Sequence, residues 1–149
     1  MRIRKATVED EKHILNLLKQ FPVESEDYDW QRGAGTFRSI IKNSEFGSVF
    51  VADEDGNILG VITLSYPTAI RCGGKYSCIE EFIVDEKGRG KGIGGQLIKN
   101  AIEEARSRGC YEIQVNRPSE SGYPVYMSHG WKDLGKHLNL AFHKKHKKI

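Results

Sequence analysis

The sequence predicts an α/β (α+β) fold in a single domain, with a central mixed sheet of six to seven strands flanked by about four helices. Three observations carry this expectation. A chain of 149 residues is long enough for one proper core and fits one domain. Strand-like and helix-like stretches alternate in the order β-α-α-β-β-β-α-β-α-β. A buried-looking strand then runs through a glycine-rich loop straight into the most regular helix of the chain.

The elements follow in order. Ile3-Arg4-Lys5-Ala6 reads as a short first strand, and Thr7-Val8-Glu9-Asp10 as a capping box with Asp10 in the acidic position. A helix is expected from about Val8 to Gln20, with Ile14, Leu17 and Leu18 at helical spacing and Pro22 ending it. Phe37, Ile40 and Ile41 mark a second helix. Ser48–Ala52 and Ile58–Leu64 read as two strands joined by Asp53-Glu54-Asp55-Gly56-Asn57, a hairpin composition. A longer strand is expected from about Lys75 to Val84. Between Gly92 and Arg108, an apolar stripe of Ile93, Leu97, Ile98, Ala101, Ile102 and Ala105 defines an amphipathic helix, with Gly109 placed as its C-terminal cap. Tyr111–Val115 reads as a strand, and a short helix begins near Pro124 and ends at Gly130. The alternation of Leu138, Leu140 and Phe142 suggests a final strand.

Composition narrows the function classes. Hydrophobic residues make up 38% and charged residues 29%, an ordinary globular balance, and no apolar run approaches the roughly 20 residues that span a bilayer. The basic start lacks a following apolar stretch, so a cytoplasmic protein is the expectation. Cys72, Cys78 and Cys110 form no Cys-x-x-Cys pair, which argues against a disulfide framework and a structural metal site. The net charge of +3 resides largely in the tail at 143–149. That terminal run lacks aromatics interleaved on a folded face, which argues against nucleic-acid binding.

The chemistry concentrates between Cys78 and Gly95. Glycines at 88, 90, 92, 94 and 95 separate the strand from the helix. The first N–H groups of a helix have no internal partner, the helix dipole makes that end positive, and glycines let a ligand approach the backbone. Arg89 and Lys91 add charge, so the composition describes a phosphate cradle. Gly90-Lys91-Gly92-Ile93-Gly94-Gly95 satisfies the dinucleotide-binding pattern literally, but the strand comes too late in the chain and no acidic residue ends a second strand. A Walker A loop fails because Gly95 is followed by Gln96.

Arg89, Gly92 and Gly94 fit Arg-x-x-Gly-x-Gly, which resembles the acetyl-CoA pyrophosphate loop of the GNAT superfamily. The likeness extends to Ile3–Asp10, to the strand Ile79–Asp85, and to Val125-Tyr126-Met127-Ser128-His129-Gly130-Trp131. This resemblance implies an N-acetyltransferase that moves the acetyl group of acetyl-CoA directly to a primary amine. It implies that the backbones of Phe82 and Val84 bond the cosubstrate's amides, with Ile83 beside them. The amides of Gly90, Lys91, Gly92, Ile93, Gly94 and Gly95 would take the pyrophosphate, together with Arg89. An amide near Phe82 would hold the developing oxyanion. Glu80 is the candidate base, through a water, because strand alternation groups it with Cys78, Phe82 and Val84. The alternative for Glu80 is a carboxylate that only orients substrate. A bulge would turn Glu81 toward the acceptor instead. Tyr126 matches the family's proton-donating tyrosine. Ser119 stands where the family usually has the Asn that contacts pantetheine, so the resemblance places it, with a weaker contact, among the cofactor-binding residues; Gly122 stands for a typical Ala, and Pro124 suggests a shortened helix. His129 reads as a helix-end residue rather than a base.

The acceptor itself is not named by the sequence. Glu24, Glu26, Asp27 and Asp29 with Tyr28 and Trp30 suit a cationic amine, or are a solvated loop. The alternative to an enzyme is a non-catalytic acetyl-CoA-binding regulatory module, which would not need Glu80 and Tyr126. The C-terminal alternation leaves open pairing across a homodimer or within the chain's own sheet.

Overall fold

A computed structural model of the chain describes residues 1–21 and 28–142. β1 (Arg2–Lys5) passes through one 3-10 turn (Val8–Asp10) into α1 (Glu11–Leu18), and α2 (Trp30–Lys42) follows. The Thr7 N–H donates to Asp10 Oδ2 at 2.8 Å, the acidic half of the expected capping box. Arg4 donates two further hydrogen bonds to the same carboxylate, at 2.8 and 2.9 Å. α2 starts where Asp29 Oδ1 accepts the Arg32 N–H at 3.1 Å, and it buries Phe37 with Ile40 and Ile41 beside it.

β2 (Gly47–Glu54) and β3 (Asn57–Ser65) form a hairpin. Its turn residues Asp55 and Gly56 both take positive φ, 52° and 87°, as a two-residue turn matched to strand twist requires. β4 (Thr68–Ala69) and β5 (Gly74–Lys75) pair in a small ribbon of their own, so the expected long strand from Lys75 divides before β6 (Ser77–Val84). Then come α3 (Ile93–Ser107), β7 (Ile113–Val115) and α4 (Tyr123–Ser128).

The central sheet runs β1-β2-β3-β6-β7, antiparallel throughout except for the parallel pair β6/β7. It is the expected mixed sheet, with four helices among the described residues. It holds five strands, and the other two form the separate ribbon. Side chains alternate between its faces. Ile62, Leu64 and Ile79 meet Leu97, Ile98 and Ala101 of α3 on one side. Val49, Val51 and Val61 meet Ile14, Leu17 and Phe37 of α1 and α2 on the other. Gly109 (φ 74°) closes α3, its N–H on the Arg106 carbonyl and that of Cys110 on the Ala105 carbonyl, both at 3.0 Å.

The expected final strand does not form among the described residues. Leu138, Leu140 and Phe142 are 88%, 80% and 95% exposed. Alternation marks a stretch able to present one apolar face, but among the described residues no strand lies beside it.

Candidate active site

β6 pairs with β7 only at Ser77, Cys78 and Ile79. From Glu80 to Val84 no strand lies on that side among the described residues, and a cleft opens there. On its other side the register with β3 slips: Glu81 lies opposite Thr63 and Ile79 opposite Leu64, so Glu80 is the extra residue of a bulge. The bulge interrupts the alternation read from the sequence. Ile79 and Phe82 both face the α3 side, whereas Ile83 packs on the α1/α2 side. The Glu81 N–H donates to Thr63 Oγ1 at 2.9 Å and the Asp85 N–H to the Leu59 carbonyl at 2.8 Å, both toward β3. Strand amides point alternately to either side, so those of Phe82 and Val84 turn to the open edge.

Two cavities meet at Phe82. The first, about 720 Å³, runs between Phe82, Ile83 and Val84 on one wall and Arg89, Gly90, Gly92, Ile93, Gly94 and Gly95 on the other. Gly90 and Gly92 take φ of 79° and 75°, a left-handed backbone that side chains rarely adopt. A Cβ at Gly94 would come 3.3 Å from Phe82 Cζ, a measure of how closely the start of α3 approaches β6. The free N–H groups of the α3 N-terminus and the Arg89 guanidinium, which makes no ion pair among the described residues, fit a diphosphate. Lys91 is the exception to the expected cradle. Its side chain is outside the lining, with Nζ 3.4 Å from Glu54 Oε2.

The second cavity, about 430 Å³, is lined by Glu80, Tyr126, Asn116, Arg117 and Tyr28, among others. Glu80 Oε2 accepts from Ser65 Oγ at 2.6 Å. Glu81 lines neither cavity, and its carboxylate accepts from the Thr63 hydroxyl. Burial raises the Glu81 pKa, against the lowering effect of Thr63 and with the charge of Glu80 adding to the rise. The bulge therefore separates the two carboxylates and leaves Glu80 in the cleft. Tyr126 is 3% exposed, with its ring 5.6 Å from Phe82 and 4.9 Å from Trp131. Its hydroxyl has no protein partner among the described residues, and burial raises its pKa. Beside it, burial pushes the Cys78 thiol up to about 11, reinforced by the Glu80 charge.

Ser119 borders both cavities, and its Oγ accepts the Gly122 N–H at 3.0 Å. A Cβ at Gly122 would lie 2.9 Å from that oxygen, which accounts for glycine there. His129 lines neither cavity. Its Nδ1 is 2.9 Å from the Val125 carbonyl, and its ring covers Gly95. Glu24, Glu26 and Asp27 lie outside the described residues, as does the basic tail at 143–149. Asp29 is spent on the α2 cap, while Tyr28 does reach the second cavity. Sequence reasoning missed Phe21, Ser65, Asn116 and Arg117. Their places depend on the bulge and on where β7 stops, and no local pattern encodes either.

Residues 12–131 match the family model described as "Acetyltransferase (GNAT) family". The chain is 33% identical over 93 residues to glucosamine 6-phosphate N-acetyltransferase of Trypanosoma brucei brucei, covering 62% of this chain and 63% of that one. It is 33% identical over 73 residues to glucosamine 6-phosphate N-acetyltransferase 1 of Oryza sativa subsp. japonica, covering 48% and 42%. The matched region thus spans about half the length of these relatives. Similarity to aminoalkylphosphonate N-acetyltransferase of Salmonella typhimurium is 26% over 132 residues, covering 87% and 84%. Among solved structures, a transcriptional regulator from Bacillus halodurans C-125 superposes with a TM-score of 0.83 at 25% identity, over 95% of this chain and 99% of that one. A predicted acetyltransferase with acetyl-CoA from Clostridium acetobutylicum gives 0.79 at 21%, over 98% and 99%, a likeness of fold.

Proposed function

The chain belongs to the acetyltransferase (GNAT) family, and on that premise we propose that it transfers the acetyl group of acetyl-CoA to a primary amine. The observation that carries the reading is the junction at Phe82, where a glycine-lined anion cradle meets a polar cavity holding Glu80 and Tyr126. The relatives are named for amine acceptors: glucosamine 6-phosphate, S-alkylcysteine and aminoalkylphosphonate.

Acetyl-CoA supplies the activated thioester. In this reading Arg89 and the amides of Gly90, Gly92, Ile93, Gly94 and Gly95 hold the diphosphate, and the open-edge amides of Phe82 and Val84 align the pantetheine arm. The Phe82 amide also holds negative charge on the thioester oxygen. Glu80, kept in place by Ser65, takes a proton from the acceptor's ammonium through a water, because an alkyl ammonium of pKa near ~10 cannot attack. The amine nitrogen bonds to the acetyl carbon, the carbon–sulfur bond breaks, and the nitrogen sheds its second proton. Tyr126 donates a proton to the departing sulfur, and its burial keeps it protonated until then. The net products are an amide, the CoA thiol and one proton.

Among the described residues no group of three or more His, Cys, Asp or Glu could hold a metal, and the proposed chemistry calls for none. No described helix is long and apolar enough to cross a membrane. A cytoplasmic location belongs to the same reading and rests on composition. So does a homodimer, supported by the exposed apolar row Leu134, Leu138, Leu140 and Phe142 and by β7 as an edge strand. The test is calorimetric titration with acetyl-CoA of the wild type and of Gly92→Glu, each checked for folding. Micromolar binding abolished by the substitution is expected, followed by thiol release with amines. A folded wild type that binds no acetyl-CoA would overturn the reading.

A further inference from the structure

The second cavity carries a charge that transfer to a simple amine does not use. Arg117 is its basic lining residue, while Glu80 and Glu120 are its acidic ones. Arg89 lines only the first cavity and Arg117 only the second, so the proposed diphosphate site already has its own arginine.

Three observations set Arg117 apart. Its backbone takes φ of 53°, one of two non-glycine residues at positive φ among those described. The other, Asp55, is explained by a hairpin turn; Arg117 lies outside regular secondary structure, before Pro118, where a residue is ordinarily held extended. Such outliers persist where the surroundings or the function require them. The exposed Arg117 guanidinium, like that of Arg89 in the first cavity, has no hydrogen-bond or ion-pair partner among the described residues, so it is available to a ligand. Finally, the neighbouring Asn116 amide is turned to Cys78 Sγ at 3.9 Å, which leaves Arg117 as the cationic donor on that wall.

A guanidinium is a planar fork that matches the oxygens of a carboxylate, phosphate or phosphonate, and it stays charged at any working pH. An acceptor with a second ammonium there would meet like charge, and a plain monoamine would leave the fork unmatched. We propose that the second cavity is a subsite for an amine that also carries an acid group, with the amine at Glu80 and the acid oxygens on Arg117. The proposal rests on the acetyltransferase reading and narrows it to zwitterionic acceptors.

The experiment follows thiol release with acetyl-CoA over a panel of matched amines: an α-amino acid and its amide, an aminoalkylphosphonate and its diester, an amino sugar with and without its phosphate. Wild type is compared with Arg117→Gly, which suits the left-handed backbone while removing the guanidinium, and with Arg117→Lys. Acid-bearing members are expected to be preferred over their neutral partners by about 10- to 100-fold in kcat/KM, the scale of charge-assisted hydrogen bonds. Arg117→Gly should erase that preference through KM with kcat kept and neutral acceptors unaffected, and Arg117→Lys should restore part of it. The carboxylate and phosphoryl arms identify which acid the cavity takes. Equal use of acidic and neutral amines, or an equal effect of Arg117→Gly on both, would overturn the subsite while leaving the acetyltransferase standing. Loss of acetyl-CoA binding by the wild type itself would instead remove both.

Discussion

Glu80 and Glu81 are adjacent in sequence and opposite in circumstance. Glu80 stands in the cleft on Ser65, whereas Glu81 is turned to Thr63 with its pKa raised by burial. Glu80→Gln should therefore lower kcat by roughly 10²–10⁴-fold with acetyl-CoA affinity retained, as loss of a positioned base does. Glu81→Gln should leave turnover within a few fold and show itself in stability. A carboxyl whose folded pKa exceeds its unfolded value favours folding less as pH rises past the unfolded value, here near 4.5. Urea unfolding should thus show the Gln variant gaining on wild type between pH 4 and pH 7, and a pH-independent difference would contradict this. Tyr126→Phe keeps the ring contacts to Phe82 and Trp131 and removes a hydroxyl without a protein partner among the described residues. It should reduce kcat by about 10²-fold while the thermal midpoint stays put. Equal turnover by the Phe variant would take the proton-donor role from Tyr126.

At the scale of elements, the candidate cleft is a consequence of two strands that part. β7 is three residues long and leaves β6 after Ile79, and the bulge at Glu80 turns the carboxylate outward at that point. The loop and α3 were legible in the sequence because glycines and an apolar stripe each have a direct conformational meaning. The hairpin turn and the α3 cap were legible for the same reason. The bulge was not, since two consecutive Glu residues say nothing about register; which of the two carboxylates enters the cleft depends on the pairing with β3. Proximity in sequence to a glycine-rich loop likewise does not fix where the long Lys91 side chain finds its partner, here Glu54. β3 and α3 are held close at Gly60, where a Cβ would come within 2.9 Å of Leu97 Cδ1 and 3.2 Å of Ile93 Cγ2. Gly60→Ala should therefore cost about 1–3 kcal/mol in denaturant unfolding, the usual range for overpacking, and should weaken acetyl-CoA binding by shifting the start of α3. An unchanged midpoint would mean that the sheet gives way freely there.

Across the whole molecule, one ion cluster and one apolar row make separate predictions. Arg4 of β1 bonds Asp10 at the entry to α1 and Asp53 at the end of β2, joining three parts of the fold. Both carboxylates have pKa values lowered, first of all by the Arg4 hydrogen bonds. A depressed folded pKa stabilises above the unfolded value, near 3.8, and that stability is lost as pH falls below it. Arg4→Met should cost about 1.5–3 kcal/mol at pH 7 and progressively less as pH falls below 3.8, because it leaves buried Asp10 without its cation. The apolar row bears on the proposed homodimer. Four large side chains at 80–95% exposure are unusual for a surface meant to meet only water. They follow Trp131, which with Ile113 and Val115 of edge strand β7 lines a groove of about 480 Å³. An unpaired edge accepts a further strand, and in the proposed dimer the alternating stretch Leu138, Leu140 and Phe142 of a second copy would supply it. Light scattering on the full chain should then give twice the 16.9 kDa chain mass. Leu138→Asp with Leu140→Asp should return it to a monomer with acetyl-CoA affinity intact, since neither residue lines the proposed cofactor cavity. A wild type that is monomeric at every concentration would assign the row to the chain's own fold instead.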